Sequence, residues 1–252
     1  MGGYAELSLV RSLSFLAEYQ ATIANNLANA DSGAFRRRIA FAEPATETFQ
    51  STLEQKLGTL RYAQAGDWSP GTVKTTQERF HVALASDDGA RDLFFRVRGA
   101  RGETLYTRSG DLRIDAQNRL TTPGGLPYLD PAGQEIRVES LTDLRIAPNG
   151  QISDTDPESR QVVPRGQLGV WRVADLEALA PVGAGAFRDT RNQNPAPSAE
   201  PALRQGYLEG SNVNVVQEMV AMLAVERSYQ GTARALTAVS RMQDSYVNAM
   251  NR

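Results

Sequence analysis

His81 is the only histidine in the 252-residue chain, and cysteine is absent. These two facts bound the chemistry. Without thiols there is no disulfide, no thiolate nucleophile and no cysteine-ligated metal. A Ser-His-Asp arrangement or a histidine metal site would have to use His81. That residue stands in a strand-like Phe80-His81-Val82 context, with no second ligand at metal spacing. No GxSxG, no phosphate-loop motif and no complete dinucleotide fingerprint occurs. Gly183-Ala184-Gly185 lacks the third glycine and reads as a loop. Carboxylates are plentiful, but no two are marked out as an acid pair. The sequence therefore marks out no catalytic residue, no cofactor and no metal, while an acid pair among its carboxylates stays open.

Charge excludes further classes. The formal net charge is -2, with acids and bases interspersed, so no global field favours nucleic acid. Arg36-Arg37-Arg38 is the densest basic run and reads as a solvated or helix-end patch. No apolar stretch is long enough to span a bilayer, so no membrane insertion is expected. Met1-Gly2-Gly3-Tyr4-Ala5-Glu6 has no basic run before an apolar block, and Glu6 stands where myristoylation needs Ser or Thr. Export, if it occurs, is expected to use no cleaved signal.

With chemistry so sparse, the elements themselves become informative. Leu9, Leu13, Leu16, Gln20, Ile23 and Leu27 step by 4, 3, 4, 3 and 4. Val215, Glu218, Met222, Val225, Tyr229, Thr232, Leu236, Val239, Gln243, Tyr246 and Met250 continue such spacing at the other end. Both stretches predict amphipathic helices with a coiled-coil seam. Such helices must bury their stripes against each other or against copies of the chain. Asn25, Asn26 and Asn29 close the first helix. The Asn25/Asn29 face reads equally as a helix stop and as an interface bonding across helices. Asn214 is a plausible N-cap for the last helix, with Gln217 in the capping-box position.

Between the helices, residues 31–79 lack periodicity and read as an extended linker with one short helix near Thr52 to Leu57. Residues 80–175 alternate around turn signals such as Asp88-Gly89, Ser109-Gly110 and Asn149-Gly150. This predicts an antiparallel β domain, with Gln167 to Val173 as one strand. Residues 176–206 are rich in Ala, Pro and Gly and read as a return linker. The expected class is α+β: N- and C-terminal helices packed as a coiled-coil-like base, with a central antiparallel β domain reached by extended linkers. The expected division is 1–36, 37–79, 80–175, 176–207 and 208–252.

Specific motifs now enter. Ala24-Asn25-Asn26-Leu27-Ala28-Asn29 followed by Phe35-Arg36 resembles the N-terminal signature of the flagellar rod and hook axial family. Leu208-Glu209-Gly210-Ser211-Asn212-Val213-Asn214, Glu218-Met219-Val220 and Arg227-Ser228-Tyr229 are similar to its C-terminal signature. Tyr106-Thr107-Arg108-Ser109-Gly110, Leu120-Thr121 and Ile146-Ala147-Pro148-Asn149-Gly150-Gln151-Ile152 are similar to its β-domain repeats. The chain departs from the family pattern in three places. Arg91-Asp92-Leu93-Phe94-Phe95 lacks the two glycines typical of distal rod and hook proteins, which favours the proximal-rod type. Gly33-Ala34-Phe35 replaces Gly-Phe, so the backbone is expected to reach positive φ at Gly33. Asn118, where Gly is common, tolerates left-handed geometry.

The resemblance implies a structural subunit, not an enzyme, of the rod that spans the periplasm in the basal body of the bacterial flagellum. It implies partners among other proximal and distal rod proteins, copies of the chain itself, and the flagellar type III export apparatus. The assembly interface is expected at Leu9, Leu13, Leu16, Ile23, Asn25, Asn26, Leu27 and Asn29 on the first helix. It is expected at Asn212, Val215, Met222, Val225, Tyr229, Leu236, Val239 and Tyr246 near the other end. The terminal helices are expected to order on assembly. Alternatives are a distal rod subunit, a cell-wall hydrolase and a coiled-coil adhesin.

Overall fold

A computed structural model describes residues 2–44, 60–84, 91–138, 144–155, 161–198 and 201–250. The expected helix near Thr52 to Leu57 and the Asp88-Gly89 turn lie outside the described residues. The chain forms two compact units. One takes Met1–Asn29, Arg38–Asp67 and Val213–Arg252, and the other takes Ala30–Arg37 and Trp68–Asn212.

The first unit packs helix α1 (Gly2–Ala28) against helix α2 (Val215–Met250). An antiparallel hairpin of β1 (Arg38–Pro44) and β2 (Leu60–Gly66) also lies against α1. Tyr62 and Gln64 are two apart, so they share one face of that ribbon. The Gln64 amide donates to Thr22 Oγ1 at 2.8 Å, and the Tyr62 and Thr22 hydroxyls bond to each other. The Phe15 ring meets Tyr62 edge-on with centroids 6.0 Å apart. Ile39 and Phe41 belong to the opposite face and are exposed.

The α+β class stands, but the coiled-coil base does not. A coiled coil buries apolar side chains along a continuous seam of both helices. Among the described helix residues, Ile23 and Val225 are the large apolar side chains that reach full burial. Val215, Tyr229 and Tyr246 of the expected seam are exposed, and the seam position of Glu218 is a buried carboxylate bonded to Asn26. Two competitors for α1 explain the difference. The hairpin occupies the Phe15–Thr22 side of the helix, and a polar bond occupies the contact near its C-terminal end.

The second unit is the β domain. Its largest sheet is antiparallel, in the order β13 (Leu179–Gly183), β14 (Ala186–Asp189), β6 (Thr104–Thr107), β5 (Leu93–Arg98), β12 (Val170–Arg172) and β15 (Ala196–Pro197). A three-stranded sheet joins β11 (Val162–Gln167), β10 (Gln151–Thr155) and β9 (Arg145–Ile146). Three ribbons complete it. They pair β3 (Val73–Thr75) with β17 (Tyr207–Glu209), β4 (Val82–Leu84) with β16 (Leu203–Gln205), and β7 (Arg113–Ile114) with β8 (Leu120–Thr121). The single strand expected from Gln167 to Val173 is instead the end of β11 and the whole of β12, separated at Leu168-Gly169.

Strand β5 explains the core. Leu93, Phe95 and Val97 point into one apolar cluster with Tyr128, Ile152 and Leu168. Phe94 points the other way, to Trp171, Tyr106 and Phe187. A strand buried on both faces reads as a continuous apolar run, which Leu93-Phe94-Phe95 is. Each large side chain buried here contributes roughly 1.5–3 kcal/mol. Burial pushes the Tyr128 phenol well above its ordinary value, and its hydroxyl donates to the Ser109 carbonyl at 2.7 Å.

Two glycines test these assignments in opposite directions. A Cβ on Gly110 would sit 1.6 Å from the Val82 carbonyl oxygen, whereas one on Gly231 in α2 would meet nothing within 4 Å. Gly110→Ala should destabilise the β domain by roughly 1–3 kcal/mol through overpacking. Gly231→Ala should stabilise α2 by roughly 1 kcal/mol through helix propensity. Urea unfolding followed by circular dichroism reads both. A Gly110→Ala protein as stable as wild type would refute the close approach.

Candidate assembly interface

The N-terminal motif resolves into residues with different duties. The Asn29 N–H donates to the Asn25 and Asn26 carbonyls, and its side-chain amide donates to the Asn25 carbonyl at 2.9 Å. Asn29 thus closes α1, while Asn25 stays exposed. Asn26 is the buried member, at 1 % exposure. Its Oδ1 accepts the Arg38 N–H at 2.9 Å, and its Nδ2 donates to the Arg38 carbonyl at 2.9 Å. The same Nδ2 donates to Glu218 Oε2 at 3.1 Å. One amide therefore joins α1, the start of β1 and the first turn of α2. Asn214 caps α2 by accepting the Gln217 N–H at 3.2 Å, which leaves Glu218 in a first turn that favours a carboxylate.

In the β domain the second knot is ionic. Glu209 and Arg36 are 2 % and 3 % exposed, and Arg108 is 2 % exposed. Arg36 Nη2 donates to Glu209 Oε1 at 2.6 Å, and Arg108 Nε donates to Oε2 at 2.9 Å. The Gly71 N–H adds a bond to Oε1 at 3.0 Å, and Arg108 Nη1 donates to the Leu93 carbonyl at 2.8 Å. Burial alone pushes the Glu209 carboxyl up, but the Arg108 and Arg36 cations and the Arg36 and Gly71 hydrogen bonds outweigh it. The carboxyl consequently lies below its ordinary range. Burial pushes the Arg108 guanidinium down against the opposing pull of Glu209.

This corrects two expectations. The arginine run is not simply solvated, because Arg36 is a buried ion-pair partner. Positive φ falls on Ala34, at 57°, rather than on Gly33. Asn118 does take left-handed geometry, at φ 59°.

Asn212 ties the same region. Its Oδ1 accepts the Arg37 N–H at 2.7 Å, and its Nδ2 donates to the Ser69 carbonyl at 3.0 Å. Of the remaining expected interface residues, Leu9, Leu13, Leu16, Leu27, Met222, Leu236 and Val239 are half-buried. Ile23 and Val225 are buried, whereas Val215, Tyr229 and Tyr246 are exposed. Sequence reasoning did not single out Glu209 or Arg108 individually, although both lie within the motifs. No periodicity marks a lone carboxylate in Tyr207-Leu208-Glu209-Gly210. His81 sits with Nδ1 3.0 Å from Thr76 Oγ1 and Nε2 3.8 Å from Asp111 Oδ1. The Thr76 hydroxyl bonds to the Gly206 carbonyl at 3.2 Å, so this trio ties a turn to β16 and its neighbours.

The ionic knot has a defined pH signature. Glu209→Gln leaves two buried guanidinium groups without a carboxylate and should cost about 3–5 kcal/mol at pH 7. Because the folded carboxyl lies below its ordinary value of 4.5, its stabilisation is whole above that value. The stabilisation is lost as pH falls through the lower, folded value. The stability gap between wild type and Glu209→Gln in urea should therefore be wide at pH 7 and narrow below pH 4.5. A gap that is constant with pH would show that the charge on Glu209 is not what holds the knot.

Known proteins carry the same pattern. Residues 204–250 match the family described as flagellar basal body rod FlgEFG protein C-terminal. Residues 92–154 match the flagellar hook protein FlgE/F/G D1 domain. The chain is 31 % identical to the flagellar basal-body rod protein FlgF of Escherichia coli, over 87 % of each chain. It is 30 % identical to FlgG of Buchnera aphidicola from Acyrthosiphon pisum, over 87 % of this chain and 89 % of that protein. It is 27 % identical to FlgG of Bacillus subtilis, over 96 % and 98 % respectively. With relatives at 30 % and 31 % identity matched over most of their length, the chain belongs to the family of flagellar basal-body rod proteins.

Proposed function

We propose that this rod subunit is of the proximal, FlgF type and polymerises with other axial proteins and with copies of itself in the periplasm-spanning shaft. The type rests on Leu93-Phe94-Phe95, which follows Arg91-Asp92 without the glycines of distal rod and hook proteins. Export through the flagellar type III apparatus without a cleaved signal follows the family resemblance. A role without catalysis, cofactor or metal is part of the same reading.

The observation that carries the assembly reading is an uncovered apolar stripe on α2. Val216, Met219, Val220 and Leu223 recur at i, i+3, i+4 and i+7 and are 54–70 % exposed. An apolar face of this kind in a subunit of a polymer is a surface for a neighbour. The exposed positions Val215, Tyr229 and Tyr246 belong to the same proposal, whereas Ile23, Asn26 and Val225 are buried within the subunit. The half-buried positions Leu236 and Val239 extend it along α2.

A cysteine at Val239, unique in this chain, should cross-link to a different rod protein in purified basal bodies. Cross-links confined to many copies of itself would instead favour the distal, FlgG-type position. Leu236→Asp should abolish incorporation into the rod while leaving the circular dichroism of the β domain unchanged. Normal motility in that variant would remove Leu236 from the interface.

A further inference from the structure

The basic residues of helix α2 are Arg227, Arg234 and Arg241, and they stand seven apart. An α-helix drifts by only about 20° per heptad, so the three share one face, about 10.5 Å apart along the axis. All three are exposed. None has an ion-pair partner among the described residues. A helix face that meets only water commonly pairs its cations with acids four residues away. Here those positions are Leu223, Gln230, Gly231, Thr237, Ala238 and Ser245. Of the exposed acids of α2, Glu226 lies about 100° round the helix from Arg227. Asp244 follows Arg241 by three residues, and no ion pair joins the two among the described residues.

The row continues the apolar stripe rather than flanking it. Val216, Val220 and Leu223 lie within about 40° of the direction of Arg227. One exposed face of α2 is therefore apolar over its first turns and cationic beyond them. That order selects among anionic partners. On a lipid surface the apolar face sinks and the cations lie on the polar side. Sinking this stripe would drive the arginines into the bilayer with it. A second helix fits, because its side chains return to one face at the same spacing of about 10.5 Å. The helices of another copy do not supply the acids. In α1 they are Glu6 and Glu18, 12 apart, and in α2 Glu226 and Asp244 are 18 apart while Glu218 is buried. Nor can two copies of this face meet. Parallel helices would set arginine against arginine, and antiparallel helices would set arginine against Val216, Val220 and Leu223.

We propose that the face of α2 from Val216 to Arg241 docks a helix of a different protein, one that presents apolar residues followed by Asp or Glu at seven-residue spacing. The apolar stripe supplies buried area, and the arginine row sets register and partner choice. The inference rests on the reading of α2 as an assembly surface and adds the chemistry of the partner. It does not depend on the proximal assignment.

Carbodiimide coupling in purified basal bodies tests it, because the reagent joins an amine to a touching carboxylate and leaves arginine unreacted. Arg227→Lys, Arg234→Lys and Arg241→Lys, made singly, keep the charge and add the amine. Each should enter basal bodies as the wild type does. Mass spectrometry should find amide bonds from these positions to Asp or Glu on one helix of another protein, stepping by seven residues between variants. Arg234→Glu should reduce incorporation at least tenfold with an unchanged circular dichroism spectrum. Bonds only to copies of this chain, bonds to a lipid or glycan carboxylate, or no bond from any variant would each overturn the proposal. So would loss of all three lysine variants from basal bodies, or an Arg234→Glu protein incorporated like the wild type. A wild-type chain missing from basal bodies would defeat the assembly reading itself. A wild-type chain present there, with the coupling absent, would defeat the arginine row alone.

Discussion

A single buried carboxylate governs how the second unit takes up its N-terminal segment. Glu209 accepts Arg36, Arg108 and the Gly71 N–H, so residues far apart in sequence converge on two oxygen atoms. Removing an ion from water is expensive, and a buried pair repays that only when the remaining hydrogen-bonding capacity is used. For Glu209 it is used, with both oxygens engaged. The apolar clusters around Phe95 and Phe94 supply the bulk of the β domain's stability. The ionic knot decides where one short segment lies upon it.

The first unit uses the same strategy with an amide. Asn26 holds both backbone groups of Arg38 and reaches Glu218, so a buried polar side chain sets the placement of the hairpin and the second helix relative to α1. Apolar seams tolerate sliding by a heptad, whereas an amide with a specific acceptor does not. This accounts for a helix pair that is only partly apolar at its contact. The Val216–Leu223 stripe of α2 stays exposed.

Legibility in the sequence followed the range of the interaction. Both helices could be read because their periodicity is local, and the N-cap at Asn214 because its bond spans three residues. Strand β5 was visible as an apolar run. Strands β13 to β16 were read as a return linker, since Ala, Pro and Gly give little propensity and the partners of β14 and β16 include β6 and β4. The seam spacing on α2 did not become a seam in the structure, where Val215, Tyr229 and Tyr246 are exposed, because spacing alone does not name the partner. The hairpin that competes for α1 begins in a stretch without periodicity. The asparagine cluster was recognised as one motif, yet its three members close a helix, face solvent and join three elements.

Residue types and spacing alone carry the two helices, the presence of an antiparallel β domain and, through the motifs at both ends, the rod family. Those properties are written in composition, in local periodicity and in motif residues. Tertiary structure decided that Arg36 is buried rather than solvated, that Glu209 is the carboxylate it meets, and that the left-handed turn falls on Ala34. It also decided that a polar contact replaces a coiled-coil seam. The physical reason is the same in each case. The free energy of a buried charge or amide depends on which distant groups reach it, and no local pattern encodes that reach.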